Sequence, residues 1–152
     1  MDIKKIWSGK LAIGECPMWH PTEKVLYFID IAERMLYRLD PQTLGLEKWS
    51  LPYFIGTVVP RKKGGLVATI GQDAVIIEMP SGKIEKLAQI IPDNRPDLRM
   101  NDGKCDSLGR FWIGVANLNL EDPQGGLFRL DPDGTVTQME SKITISNGMG
   151  VS

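Results

Sequence analysis

MLYRLDPQTLGLEKW, residues 35–49, returns as GLFRLDPDGTVTQME at residues 126–140. In both copies a short apolar run ends at Asp-Pro, and a second run follows after a few turn-forming residues. VIIEMPSGKIEKL, residues 75–87, is a plausible middle copy. The outer copies start 91 residues apart (126 minus 35), so two intervals average about 45 residues, which lies in the range of structural repeats.

A second shared unit precedes each copy. It reads HPTEKVLYFIDI at residues 20–31, PRKKGGLVATIG at residues 60–71 and CDSLGRFWIGVA at residues 105–116. All of these runs have the length of strands, are rich in β-branched and aromatic residues, and are bounded by turn signals. A period of about 40–50 residues with about four short strands in each unit is typical of propeller blades.

The number of repeats limits what the chain can build. A closed propeller has about 4–8 blades, and this sequence holds about three. We therefore predict an all-β fold of β-propeller blades that does not close a ring unless copies of the chain associate. Ile84, Leu87, Ala88 and Ile91 have helical spacing, but a strand running into a proline-rich loop fits their context better.

Composition excludes several classes of function. The chain has 152 residues, is 42% hydrophobic and 24% charged, and has a formal net charge of -1, which gives no electrostatic argument for nucleic acid or an anionic membrane as a partner. No apolar run approaches the roughly 18 residues of a membrane span, and no signal peptide is evident, so we expect a cytoplasmic protein. Cys16, Cys105 and His20 are too few for a disulfide framework or a His/Cys zinc site, and we expect both cysteines to be small buried apolar residues.

Three polar stretches stand just ahead of a repeat unit, or where the next should begin. Taken alone, Glu15 is typical of a surface side chain, Asn101-Asp102-Gly103 of a turn, and Asn147-Gly148 of a hairpin. Equivalent positions of successive blades converge on one end of the central channel, which would bring Glu15, Asn101 and Asn147 together. One carboxylate and two amide oxygens suit a hard divalent cation.

These stretches also carry a family resemblance. GECPMWHPTEKVLYFIDI, RMNDGKCDSLGRFWIG and ITISNGMGVS, in that order, resemble the blade-start motifs of the senescence marker protein / regucalcin / gluconolactonase-like family. The resemblance implies a six-bladed propeller with one divalent cation in its channel that hydrolyses sugar lactones. Residues 1–152 would then be the N-terminal half of such a domain.

The resemblance also implies roles for individual residues. Glu15, Asn101 and Asn147 would be ligands of Ca²⁺, Mg²⁺, Mn²⁺ or Zn²⁺. Arg99 would hold substrate oxygens, and Asp102 would contact the substrate or support a ligand. Where the family often has an acidic residue that contacts the substrate, this chain has only amides, of which Asn119 is the candidate.

One expected residue has no counterpart. The family's fourth ligand is an aspartate of a later blade, usually also proposed as the general base, and its place would lie beyond Ser152. We therefore expect weak metal binding and little turnover, although two copies could form a homodimer that closes the ring. Two alternatives remain: a non-catalytic half-propeller that binds calcium or a protein partner, and a truncated product without a stable fold.

Overall fold

Twelve β-strands make up the regular structure of the chain. The computed structural model describes residues 3–151, so that Met1, Asp2 and Ser152 lie outside the described residues. No helix occurs within this range. The strands are β1 (Gly14–His20), β2 (Val25–Asp30), β3 (Met35–Leu39), β4 (Leu46–Ser50), β5 (Ile55–Pro60), β6 (Leu66–Ile70), β7 (Asp73–Glu78), β8 (Lys83–Gln89), β9 (Leu98–Cys105), β10 (Phe111–Asn117), β11 (Gly125–Leu130) and β12 (Val136–Ile143).

The strands form three four-stranded antiparallel sheets, each a simple meander: β1–β4, β5–β8 and β9–β12, called here the first, second and third sheets. This confirms the predicted blades. The repeated stretches that begin at residues 35, 75 and 126 fall in the third and fourth strands of their sheets. The helical alternative for residues 84–91 is wrong, because Lys83–Gln89 pairs with β7 as a strand.

Two apolar cores hold the sheets together. One is built by the first and second sheets and the other by the second and third, because successive side chains of a strand point to opposite faces and the strands of the second sheet are apolar on both. The second sheet contributes to both cores, and β5 packs against β1 and β2 on one side and β9 on the other. Members with no exposed surface are Tyr27, Ile29, Leu36, Ile55, Leu66, Ala68 and Ile77 in the first core and Ala74, Ile113 and Val115 in the second.

The first strand of every sheet has a β-bulge at the same place. In each, two residues stand opposite a single residue of the neighbouring strand, which bends the strand and re-aims its side chains. The bulged pairs are Cys16–Pro17 in β1, Gly56–Thr57 in β5 and Asn101–Asp102 in β9. Asn101 therefore lies within a strand rather than in the turn that its sequence suggested, and Glu15 stands one residue ahead of the equivalent position.

Two glycines let these first strands approach closely. A Cβ on Gly56 would lie 2.5 Å from the carbonyl oxygen of Asn101, and a Cβ on Gly103 would lie 2.7 Å from the side-chain methyl carbon of Thr57. Both distances are below any ordinary contact, so neither position has room for a side chain. The backbones of β5 and β9 consequently pack directly against each other beside the bulges.

The outer faces of the first and third sheets differ in chemistry. On the first, Phe28 stacks on Tyr37 with ring centroids 4.9 Å apart, and Trp7 covers Phe28 at 5.2 Å. On the third, the guanidinium groups of Arg110 and Arg129 lie 5.6 and 5.9 Å from the centroid of the Trp112 ring. The first face is thus aromatic, whereas the third is aromatic and cationic.

Two smaller expectations can be compared with the structure. Cys16 is half-buried, but Cys105 is exposed, so the expectation of a buried residue was wrong there, because Cys105 is the last residue of β9, next to the hairpin turn. Both cysteines are free thiols. Within residues 3–151 no helix is long and apolar enough to cross a membrane.

Candidate metal centre

Asn101 is the most constrained of the predicted site residues. It is 8% exposed, and its side-chain Nδ2 donates to the carbonyl oxygen of Ser146 over 2.9 Å. The same nitrogen lies 3.4 Å from Oδ1 of Asn147, while Oδ1 of Asn101 accepts a hydrogen bond of 2.7 Å from Nη1 of Arg99. The structure thus brings three predicted site residues from two separate segments into direct contact.

Asp102 fixes the segment that carries Asn147. Residues 145–151 form no strand, and Asn147 itself is exposed. The Oδ2 atom of Asp102 accepts a hydrogen bond of 2.9 Å from the backbone N–H of Met149, and Oδ1 accepts one of 2.7 Å from the N–H of Gly103. Both carboxylate oxygens are therefore engaged in holding backbone, which gives Asp102 a positioning role here.

Arg99 joins the amide cluster to a cavity. Its half-buried guanidinium group donates through Nη1 to Asn101 and, over 3.3 Å, to the carbonyl oxygen of Met100. Burial lowers the pKa of Arg99, and the nearby charge of Glu15 partly offsets this effect. The cavity beside it has a volume of about 410 Å³ and is walled by the aromatic rings of Tyr53 and Phe54. A guanidinium edge in such a cavity can bind oxygens of a small polar molecule.

Glu15 is placed less firmly. It is exposed, and no hydrogen bond or ion pair joins its carboxylate to another residue of the described range 3–151. The segment before it is anchored by Asp30, whose carboxylate accepts the backbone N–H groups of Ala12 and Ile13 over 2.7 and 3.1 Å. Burial alone would raise the pKa of Asp30, but the backbone donors outweigh it and lower the pKa. The backbone just before Glu15 is therefore anchored, whereas the Glu15 side chain makes no hydrogen bond or ion pair within residues 3–151.

The donor set can be tested against the expected cation. No group of three or more His, Cys, Asp or Glu side chains that could bind a metal occurs among the residues that the structure describes. The available donors are the amide oxygens of Asn101 and Asn147 and the carboxylate of Glu15, all oxygens, which fit a hard divalent cation rather than a thiolate-bound one. Arg99 uses one lone pair of the Asn101 oxygen and leaves the other available.

Asn119 is not brought to this cluster by any described contact. It is exposed in the turn after β10, where its Oδ1 accepts the N–H of Glu121 over 3.1 Å and its Nδ2 donates to Asp122 over 3.0 Å. Its own N–H donates to the side chain of Asn117 over 3.0 Å. The side chain organises the turn, and its assignment to the substrate stays a prediction.

Sequence reasoning missed two contributors. Ser146 takes part through its backbone oxygen, which no side-chain pattern can reveal. Thr57 lies in the apolar stretch IGTVVP, yet it is fully buried and its Oγ1 donates to the carbonyl oxygen of Gly103 over 3.2 Å. The only available signal was its place in the repeat, one blade before Asp102.

The fold and the oxygen donors define a propeller-type protein with a candidate cation site at the first strands of its blades. The sequence profile described as the SMP-30/Gluconolactonase/LRE-like region matches residues 13–152. The chain belongs to this family, which confirms the resemblance seen in its motifs. Lactone hydrolysis and dependence on a divalent metal are characteristic of the family in general.

Individual relatives agree with this assignment. The chain is 35% identical to regucalcin of Xenopus laevis over 98% of its own length and 51% of the relative, and 32% identical to 6-deoxy-6-sulfogluconolactonase of Pseudomonas putida over 99% and 51%. Its structure is similar to that of a luciferin-regenerating enzyme, with a TM-score of 0.85, 28% identity, and coverage of 92% of this chain and 49% of that one. The chain thus spans about half the length of the relatives it matches.

Proposed function

We propose that this chain supplies one part of the site of a lactone hydrolase that depends on a divalent metal and acts on a sugar lactone. The contact of Asn101 with Asn147 and Arg99 carries this proposal, because it sets two side-chain amide groups and a guanidinium group side by side. Glu15, Asn101 and Asn147 would hold the cation. A relative named for a sulfogluconolactonase activity supports a sugar lactone as the substrate class.

Each residue has a role that follows from its contacts. Arg99 would bind and orient ring or carbonyl oxygens of the lactone, because it lines the cavity bordered by Tyr53 and Phe54. The cavity walls would exclude water from one face of the substrate. Asp102 would keep the Asn147 segment against β9 through the N–H of Met149. A bound divalent cation would supply Lewis acidity toward the lactone carbonyl oxygen.

A general base is the part of the reaction that these contacts do not provide. Among residues 3–151, the carboxylate hydrogen-bonded to the Asn147 segment is that of Asp102, and both of its oxygens already accept backbone N–H groups. A carboxylate so engaged is a poor acceptor for a proton from an attacking water. We therefore propose that the chain alone binds the cation weakly and turns over little lactone.

We also propose that two copies pair through their outer sheet faces. The aromatic face of the first sheet, with Trp7 and Tyr37, would meet the face of the third sheet, with Trp112 and Arg129, of the second copy. The proposed location is the cytoplasm, which the two free thiols support.

The first experiment is titration calorimetry with Mn²⁺ and Ca²⁺ on the purified 152-residue chain, together with light scattering and a lactone hydrolysis assay. We expect weak binding of a cation, a dimer of twice 16.9 kDa, and little hydrolysis. Absence of any binding by either cation would contradict the metal site. A monomer would contradict the pairing, and efficient hydrolysis by a monomer would contradict the missing base. Cation binding without hydrolysis in any state would favour a binding module.

A further inference from the structure

A largely buried chain of hydrogen bonds links the first strands of all three sheets. It runs from Cys16 in the β1 bulge to Thr57 in the β5 bulge and on to Gly103, which follows the β9 bulge. The Sγ atom of Cys16 lies 3.2 Å from Oγ1 of Thr57, and this Oγ1 lies 3.2 Å from the carbonyl oxygen of Gly103. The first and last of these three strands, β1 and β9, carry Glu15 and Asn101.

The direction of the bonds in this chain follows from the chemistry of its members. The carbonyl oxygen of Gly103 can only accept, so the single hydroxyl proton of Thr57 is donated to it. Toward Cys16 the same Oγ1 atom therefore acts as an acceptor of the thiol proton, a role that it shares with the carbonyl oxygen of Val58, 3.4 Å from Sγ. The Sγ atom also accepts the backbone N–H of Val58 over 3.3 Å. One side chain, Thr57, thus connects the first and third sheets through the second.

The backbone conformation of Cys16 indicates that the contacts of its side chain constrain the strand. Cys16 has a φ of 50°, in the left-handed region that residues with a side chain rarely adopt. Such a conformation persists only where surrounding contacts impose it, and the contacts of its Sγ atom with Thr57 and Val58 are present. Cys16 directly follows Glu15, so the same contacts set the direction in which the Glu15 side chain leaves the strand.

The third-sheet end is equally tight. Thr57 is fully buried, and its methyl carbon occupies the space beside Gly103 that a Cβ there would need. Gly103 follows Asp102, whose carboxylate holds the segment of Asn147. A shift of Thr57 would therefore be transmitted to both the Asn101–Asp102 bulge and the segment attached to it.

We infer that Thr57 is a positioning residue whose hydroxyl group sets the separation and orientation of Glu15 and Asn101, the two sides of the cation site. This inference rests on the proposed metal site for its role, but the bridge itself can be tested without a metal. Thr57 does not contact the cation in this arrangement. It acts through Cys16 on one side and Gly103 on the other.

The metal-free test measures the reactivity of the Cys16 thiol. In a Cys105→Ser background, the rate of alkylation by iodoacetamide reports on Cys16 alone. We expect Thr57→Val to react several-fold faster, because the thiol loses its hydroxyl partner, while its contacts with the backbone of Val58 and the volume of the side chain are kept. Thr57→Ser keeps the hydroxyl group and should react at the parental rate. Equal rates in all three proteins would overturn the bridge, whether or not any cation binds.

The metal test uses Mn²⁺ alone on the full chain. We expect Thr57→Val to weaken Mn²⁺ affinity by about tenfold, the lower end of the effect of residues that orient ligands, and Thr57→Ser to retain it. Ile77→Val is the control, because Ile77 lies in the same sheet, is equally buried, and has no hydrogen-bonding side chain. An equal loss in Ile77→Val would show general destabilisation and overturn the inference.

The remaining outcomes also decide the question. Equal losses in Thr57→Val and Thr57→Ser would assign the effect to packing of the methyl group and overturn the role of the hydroxyl. If Thr57→Val does not fold, Cys16→Ala removes the other end of the bridge, and unchanged Mn²⁺ affinity in that variant would overturn the inference. If the parent binds no Mn²⁺, the proposed metal site fails while the alkylation rates still judge the bridge.

Discussion

Glu15 and Asn101 occupy nearly equivalent positions in two blades, but their side chains differ in burial and in hydrogen bonding. Asn101 is 8% exposed and is held by Arg99, Ser146 and Asn147. Glu15 is exposed, and no hydrogen bond or ion pair joins its side chain to another residue of the range 3–151. The third-sheet side of the candidate site is therefore built in advance, whereas the first-sheet side has only its backbone in place.

This difference separates two ways in which a ligand can be lost. A buried side chain with several hydrogen bonds contributes to folding, so its removal lowers stability as well as any affinity for a cation. An exposed side chain without partners contributes only when the cation binds, and ordering it then costs conformational entropy. Comparing stability with affinity for the two residues should thus reveal which half of the site is preformed.

The largest expected effect comes from a substitution in β5, the strand packed against the preformed half of the site, which is Asn101 with its partners Arg99, Ser146 and Asn147. In Gly56→Ala the new Cβ would lie 2.5 Å from the Asn101 carbonyl oxygen and 2.7 Å from that of Met100, and both are backbone atoms with little freedom to move. We expect a loss of about 3 kcal/mol in the free energy of unfolding, the upper end of the usual cost of overpacking. Urea denaturation followed by circular dichroism measures it.

Gly150→Ala is the matched control for this substitution. A Cβ on Gly150 meets no atom within 4 Å, and the backbone there does not lie in the left-handed region. Its unfolding curve should coincide with that of the parent. A Gly56→Ala protein as stable as this control would show that β5 and β9 can separate at little cost, and the preformed half would then be much less rigid than its contacts indicate.

The second prediction compares the two ligands directly. Asn101→Ala leaves the buried oxygen of Ser146 without its donor and should lower the free energy of unfolding by about 2 kcal/mol, whereas Glu15→Ala should change it by less than about 0.5 kcal/mol. Both should weaken the binding of Mn²⁺, because each removes one oxygen donor. Urea denaturation without metal and titration calorimetry with Mn²⁺ measure the two quantities.

Two results would remove the contrast between the ligands. A loss of stability in Glu15→Ala as large as that in Asn101→Ala would mean that Glu15 is also engaged in the folded protein. Retention of full Mn²⁺ affinity in either variant would exclude that residue as a ligand. Asn101→Asp keeps an oxygen that can bind the cation. Relative to Asn101→Ala, it should regain more of the Mn²⁺ affinity than of the free energy of unfolding.

Much of the fold and one part of the site could be predicted from the sequence. The repeats near residues 35, 75 and 126 predicted three blades because each blade reuses the same turn and apolar pattern. Asn101 and Asn147 were found through equivalent positions, and the structure brings them into contact. The bulge at Asn101, by contrast, looked like a turn, because Asn-Asp-Gly favours one locally and only pairing with β10 forces an extended strand.

The parts that sequence could not reveal depend on the backbone or on distant contacts. Ser146 acts through a carbonyl oxygen that every residue possesses. Thr57 has no local feature that separates it from a threonine that simply favours a strand, and its importance arises from neighbours 41 and 46 positions away in the chain. Such contacts are set by how blades stack, which the period of a repeat does not specify.

The third prediction concerns the stability at low pH of the hairpin formed by β9 and β10, since β9 carries Asn101 of the preformed half. A hydrogen bond of 3.0 Å from Nε1 of Trp112 and further bonds from Arg110 lower the pKa of Asp106 to about 2. Because this pKa lies below its ordinary value of 3.8, the stabilisation is complete above about pH 4 and is lost as the pH falls toward 2. Asp106→Asn should therefore show a flatter dependence of stability on pH in that window, measured by urea denaturation at several pH values. Parallel curves for the variant and the parent would show that Asp106 is not responsible.

The smallest expected effect concerns Asn119, the predicted substrate residue that lies apart from both halves. Its side chain is engaged with Glu121 and Asp122 in the turn after β10, so Asn119→Ala should cost about 0.5–1 kcal/mol of stability through the lost turn contacts. Neither oxygen donor of the preformed half is touched, and Mn²⁺ affinity should stay at the parental value in titration calorimetry. A weaker affinity would instead couple this turn to the site, because its neighbour Asn117 donates from the end of β10 to Asp97 beside the start of β9. The comparison would then extend from two ligands to a third element, with the β10–β11 turn as part of the preformed half.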